Sequence, residues 1–223
     1  DMGGDLTYSF PFLQIGVSGI YTRFSLPYVH KLPKYARYYP TGSDFHNLSI
    51  HYKARWRQLF FSGESALGKQ GYALLHRLDY RLHADANLLL VHRLYSHDYW
   101  SWHAFAFGES STPQNENGWY LAAEVTPWAH WRLFGSLDLF SHPWWKYRIS
   151  KPSQGLDGMM QAKWNPHTSL QFTLNYRYKR KERDITGTSG QDIRPLHHHR
   201  TRLRMDYTSA LWQSQTTLDY NHL

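Results

Sequence analysis

The chain has 223 residues, enough for one all-β barrel or sandwich domain or for two small domains. It carries ten Trp, seventeen Tyr and eleven Phe, yet its mean hydropathy is negative and its net charge is +8, so its rings are spread along the chain rather than pooled with an aliphatic core. The absence of cysteine excludes a disulfide framework, thiolate metal sites and a Cys nucleophile, and no run of about 18 apolar residues provides a membrane-spanning helix.

Spanning strands are not excluded, because alternation hides them from hydropathy averages. Period-two patterning predicts twelve strands, at residues 4–10, 12–24, 45–56, 58–68, 71–82, 86–96, 117–126, 130–141, 155–164, 168–179, 199–208 and 211–223. The fifth and sixth are the least regular, since Leu88, Leu89, Leu90 and Val91 run together. The eighth sets Trp131, Leu133, Gly135, Leu137 and Leu139 against Arg132, Phe134, Ser136 and Asp138. The tenth sets Leu170, Phe172, Leu174, Tyr176 and Tyr178 against Gln171, Thr173, Asn175 and Arg177, and the eleventh sets Thr201, Leu203, Met205 and Tyr207 against Arg200, Arg202, Arg204 and Asp206. Such strands have one apolar and one polar face. All ten Pro are expected between strands, where a missing N–H breaks no ladder.

Connections alternate in length. Short ones are expected at Pro11, Trp56–Arg57, His83–Asp85, Pro127–Ala129, Asn165–His167 and Ser209–Ala210. Between them fall the segments 25–44, 97–116, 142–154 and 180–198, with a smaller one at Gly68–Gly71. That alternation predicts an antiparallel, up-and-down transmembrane β-barrel of at least twelve strands, with short periplasmic turns and long extracellular loops. The tryptophans fall at strand ends and in connections, as an aromatic girdle at each rim would require. The expected girdle residues are Trp56, Trp119, Trp128, Trp131, Trp144, Trp145, Trp164 and Trp212, with Trp100 and Trp102 also in a long connection.

Several stretches resemble the barrel of the helix-hairpin-helix-containing outer-membrane proteins of the Bacteroides group. They are Ser96–Trp100, Gln114–Gly118, Phe140–Ser153 and Asn175–Asp184, and the likeness runs from the Tyr-rich segment after Leu26 to His222. The resemblance implies an outer-membrane location in a Gram-negative bacterium and a barrel that follows a periplasmic region. It brings no DNA-binding residues, because no helix-hairpin-helix repeat stands in this sequence; nucleic acid would be met only through regions outside it. Residues 1–223 are therefore expected to be one barrel domain of a longer protein, its leader removed or lying ahead of Asp1.

The polar faces place Lys53, Arg55, Glu64, Arg77, Asp79, Arg81, Glu124, Arg132, Asp138, Lys163, Arg177, Arg200, Arg202, Arg204 and Asp206 toward the lumen. Two readings follow: ion-pair ladders that brace the wall, or a cationic pore that selects anions. The run Lys179, Arg180, Lys181 and Arg183 reads as a solvated strand end at the membrane surface or as a contact to lipopolysaccharide phosphate. The segment from Leu26 to Asp44, with Tyr28, Tyr35, Tyr38, Tyr39, Lys31, Lys34 and Arg37, reads as a self-packed loop or a stacking platform. His197–His199 cannot all point one way in an extended chain, so no metal is expected, and no cofactor. Ser96, His97 and Asp98 have the residue types of a hydrolase triad, but neighbours on a strand end diverge. The function expected is an envelope channel or translocation component for an anionic solute, and no enzyme. The alternative is a plugged scaffold barrel that binds outer-membrane or periplasmic proteins as well as lipid and lipopolysaccharide; an outer-membrane hydrolase is the distant third.

Overall fold

The computed structural model describes residues 1–29, 33–185 and 192–223, so Lys31 lies outside the described residues. Twelve strands follow one another: β1 (Met2–Ser9), β2 (Leu13–Tyr28), β3 (Gly42–Trp56), β4 (Leu59–Gly68), β5 (Tyr72–His83), β6 (Ala86–Tyr95), β7 (Glu116–Val125), β8 (Trp131–His142), β9 (Ser153–His167), β10 (Leu170–Asp184), β11 (Ile193–Thr208) and β12 (Gln213–His222). They form one antiparallel sheet in sequence order, with β1 and β12 at its two edges. Every expected strand is present. β9, β10 and β11 are longer than the alternation predicts, so most of the segment 180–198 is ladder rather than loop. For the same reason Asn165–His167 belongs to β9, and the turn there is residues 168–169. Residues 34–36 make one 3-10 turn in the β2–β3 connection.

Three prolines correct the expectation that all ten lie between strands: Pro27, Pro166 and Pro195 are inside β2, β9 and β11. Pro27 and Pro166 sit where the register slips, between Arg23 and Tyr28 and opposite the Leu170–Phe172 irregularity. Pro195 lies beyond His199, where β11 has β10 on one side but no longer β12 on the other. At such places the lost N–H removes no ladder bond.

The register sorts side chains into two unlike faces. On the first, which we call the outer face, stand Leu6, Val17, Leu48, Ile50, Phe61, Leu67, Leu121, Leu137, Met160, Leu174, Leu203 and Leu218, all exposed. The only charged residues on this face of the described strands are Arg23, Asp44, Arg180, Glu182 and Asp184, all toward the end where the long loops are. The inner face carries every buried strand residue, from Thr22 and Ser49 to Arg93, Glu116 and Thr173. The main buried apolar cluster is small: Ala66, Ala73, Tyr95 and Tyr99, with Ala106 against them.

The sheet is also staggered. The hydrogen-bonded row from Tyr8 passes through Ile15, Tyr52, Gly63, His76, His92, Trp119, Leu139, Leu156 and Arg180 to His197. Tyr8 stands beside the turn end of β1, whereas His197 stands near the loop end of β11, a climb of about one residue per strand. A rise of about 3.3 Å per residue across strands about 4.8 Å apart corresponds to a tilt of about 35°.

Candidate functional site: the charged inner face and the loop folded onto it

All the residues expected to face a lumen fall on the inner face by register: Lys53, Arg55, Glu64, Arg77, Asp79, Arg81, Glu124, Arg132, Asp138, Lys163, Arg177, Arg200, Arg202, Arg204 and Asp206. They do not behave alike.

Toward the loop end the charges are knitted together around a buried guanidinium. Arg93 on β6 is 0% exposed, as is Glu116 at the start of β7. Arg93 Nε donates to Glu116 Oε1 (2.5 Å), and its two Nη groups donate to both oxygens of Asp138 on β8 (2.8 and 3.1 Å). To reach β8 the side chain must cross β7, and it does so over Gly118, where a Cβ would lie 2.6 Å from Arg93 Cζ. The same device recurs at Gly16, over which His51 reaches Thr7. On the outer face Gly63 lets the Tyr52 hydroxyl meet His76 Nδ1 at 2.6 Å.

The connection between β6 and β7, residues 96–115, is laid across the inner face. His103 pairs with Asp1 (3.4 Å), and the Trp102 ring packs edge-on to Phe24, Tyr28 and Phe45. Ala106 enters the apolar cluster, Tyr95 OH donates to Phe107 O (2.7 Å), and the Phe107 ring lies 5.2 Å from the Arg93 guanidinium. The backbone N–H groups of Glu109 and Ser110 donate to the two Glu116 oxygens (2.8 and 3.1 Å). Glu109 then extends to β10, where Lys179 (3.0 Å) and Lys181 donate to its carboxylate. Burial disfavours ionised Glu109, but Lys181 and Lys179 prevail and hold it below the usual carboxylate range. Lys179 is shared with Asp157 (2.9 Å), which also takes a two-toothed contact from Arg177 (2.7 and 2.5 Å).

That geometry takes Lys179 and Lys181 from a freely solvated strand end into ion pairs, while Arg183 remains exposed. Lys179, Lys181 and Arg183 point inward, and only Arg180 points outward. Arg93, Glu109, Glu116 and Asp157 were not among the expected site residues. The apolar run from Leu88 to Val91 masked the alternation that leads to Arg93, and Glu116 was expected to precede its strand. The signal that could have found the pair is a glycine inside a strand, Gly118, opposite an arginine.

The long loops interlock above this network. Tyr38 stacks on His97 (4.1 Å between centroids, 5° between planes) and meets Trp144 edge-on. Asn115 exchanges hydrogen bonds with the Trp144 backbone in both directions (2.9 and 2.7 Å), and Trp144 Nε1 donates to Lys34 O (3.3 Å). The Tyr-rich segment is thus packed against its neighbours. Trp144 and Trp145, expected in a girdle, are part of this loop cluster, as Trp100 and Trp102 are part of the inward loop. Trp119 stands on the outer face near the loop end, and Trp56, Trp131 and Trp164 stand on it near the turns, while Trp128 and Trp212 lie in the turns themselves. Ser96 Oγ accepts from the Tyr72 N–H, while His97 Nδ1 lies 3.5 Å from Asp98 Oδ1 and the His97 ring is stacked on Tyr38. His197 and His199 bond Tyr178 and Tyr176 on the outer face (2.8 and 2.9 Å), while His198 faces the other way.

Toward the turns the inner face is different. Arg77 pairs with Asp79 (2.6 Å) and Arg204 with Asp206 (2.7 Å), each along one strand, while Arg202 and Arg200 meet Asp219 of β12 (2.7 and 3.7 Å). Lys53, Arg55, Arg81, Arg132 and Lys163 have no acid at ion-pair distance among the described residues. Arg55, Asp79, Arg81, Glu124 and Phe134 line a cavity of about 680 Å3. This end of the face carries more cations than acids, with Arg55, Arg57 and Arg81 against Asp79 and Glu124 around the cavity.

Comparison of the chain with family models, with curated proteins and with solved structures finds no match. What the molecule can do therefore rests on its own geometry.

Proposed function

We propose that the chain is an outer-membrane β-barrel channel, or the greater part of one, that admits anionic solutes through its turn-end mouth. The observation that carries this reading is the outer face: apolar, exposed, and free of charge except at the loop end. A compact soluble monomer of 26.5 kDa exposes about 10,700 Å2, whereas this chain exposes 15153 Å2. Lipid is the surrounding that such a surface fits. The stagger supports closure, because a tilt of about 35° is what rolling the sheet shut requires. Closure, with β1 and β12 paired to each other or to further strands, would also remove the two free edges, whose bare backbone groups would each cost several kcal/mol in hydrocarbon.

In this reading the short turns face the periplasm and the long loops face outward. The cations at Lys53, Arg55, Arg81, Arg132 and Lys163 concentrate anions at the periplasmic mouth, and segment 96–115 narrows the other end. The resemblance to the Bacteroides-group barrel proteins agrees with a Gram-negative outer membrane and with lipid and lipopolysaccharide as immediate partners. No catalytic role is proposed. Planar-bilayer recording under a KCl gradient tests the channel: the reversal potential is expected to report anion preference. Silence at every voltage and pH would end it.

One observation favours a second reading, a plugged scaffold: the inward loop and its ion pairs occupy the loop half of the inner face. Co-purification from detergent extracts separates the two, since a scaffold brings a stoichiometric partner and an independent channel does not.

A further inference from the structure

We propose that the cavity beside Glu109 is an oxyanion site of the phosphate class, that the Glu109 carboxylate is its resident occupant, and that an incoming anion displaces Glu109 and frees segment 96–115. The cavity measures about 490 Å3 and lies between β8, β9 and β10. Lys146, Lys179, Lys181, Arg183, His142 and His198 reach it from four elements, and the carboxylates there are Glu109 and Glu182. Glu182 accepts from the Gln154 N–H (2.8 Å) and Asp157 shares Lys179 (2.9 Å), while Glu109 is the carboxylate that the loop itself brings to Lys179 and Lys181. Lys146 Nζ, 2.9 Å from Ser110 Oγ and 3.1 Å from His142 Nε2, touches no carboxylate. Burial pushes it below the usual lysine range.

Lys146 and Arg183 are donors there that the tethered Glu109 carboxylate does not use. A tetrahedral oxyanion carries more acceptor oxygens and up to twice the charge, so it can engage Lys146 and Arg183 as well as Lys179 and Lys181. The latch it replaces is the far end of the loop's attachment. With Glu109 displaced, the loop keeps on that side the Glu116 contacts, the Tyr95–Phe107 bond, the Phe107 ring contacts and the Lys146–Ser110 bond, and loses its tie to β10. The site is thus built for competition between a loop carboxylate and a solute. The proposal rests on the channel reading only for the anion's route of arrival, because binding and loop release can be read in detergent without a bilayer.

The chain has no cysteine, so a single A106C reports on the loop: Ala106 packs against Ala66, Ala73, Tyr95 and Tyr99 when the loop is down. Inorganic phosphate is expected to speed maleimide labelling of A106C about tenfold over chloride at equal ionic strength, equivalent to weakening the latch by about 1.4 kcal/mol. E109Q in the same background is expected to label fast without phosphate, and R183Q to raise the phosphate concentration at half effect roughly fivefold. If phosphate and chloride act alike, or if E109Q labels as slowly as its parent, the proposal is overturned. A normal phosphate response from a protein silent in bilayers would overturn the channel and leave this site standing.

Discussion

The two halves of the inner face use the same residue types for opposite ends. In the loop half, arginine is matched: fully buried Arg93 is held by Glu116 and Asp138, and half-exposed Arg177 by Asp157. In the turn half, Lys53, Arg55, Arg81, Arg132 and Lys163 make no ion pair among the described residues, and all but half-buried Lys163 are exposed. A buried cation costs several kcal/mol unless its partners are present and well placed, so the first set is structural. The second set adds little to stability and leaves its charge available to a solute.

The largest effect should come from breaking the matched half. Glu116→Ala strands a buried guanidinium and two loop N–H groups; a loss of about 3–5 kcal/mol is expected in urea unfolding followed by tryptophan fluorescence. Next, Leu121→Arg on the outer face is expected to cost about 2–4 kcal/mol for the protein folded in lipid vesicles. A neutral outcome there would mean that this face does not meet hydrocarbon. The third effect is acid release of the loop. Glu109 is held below its ordinary range, so its contribution is complete above the unfolded value near about 4.3 and lost as pH falls through the lower folded value. A106C labelling, corrected for the thiolate fraction that falls with pH, should therefore stay slow at neutral pH and rise only in that acid window. The smallest effect on stability is expected from Arg55→Gln with Arg81→Gln, less than about 1 kcal/mol, while the reversal potential moves toward zero. A large stability loss from that pair would erase the contrast between the halves.

Much of this was legible from residue order. Alternation in the eighth, tenth and eleventh strands gives the face on which Arg132, Arg177 and Arg204 stand, because side chains change sides at every residue. The buried network was not legible. Arg93 follows an apolar run that hides the alternation, and Glu109 lies in a loop whose path no period describes. The three prolines within strands were missed because what tolerates them is a slipped register or an absent neighbour, both properties of the pairing.

By itself, the sequence determined the twelve strands, their order and the chemistry of each face, since these follow from periods of two and from where turns interrupt them. Tertiary structure alone decided that one loop crosses the inner face and that Glu109 meets Lys179 and Lys181. It also decided that Gly118 clears the way for Arg93. Those contacts join residues far apart in the chain, and only folded backbones bring such charges within reach of one another.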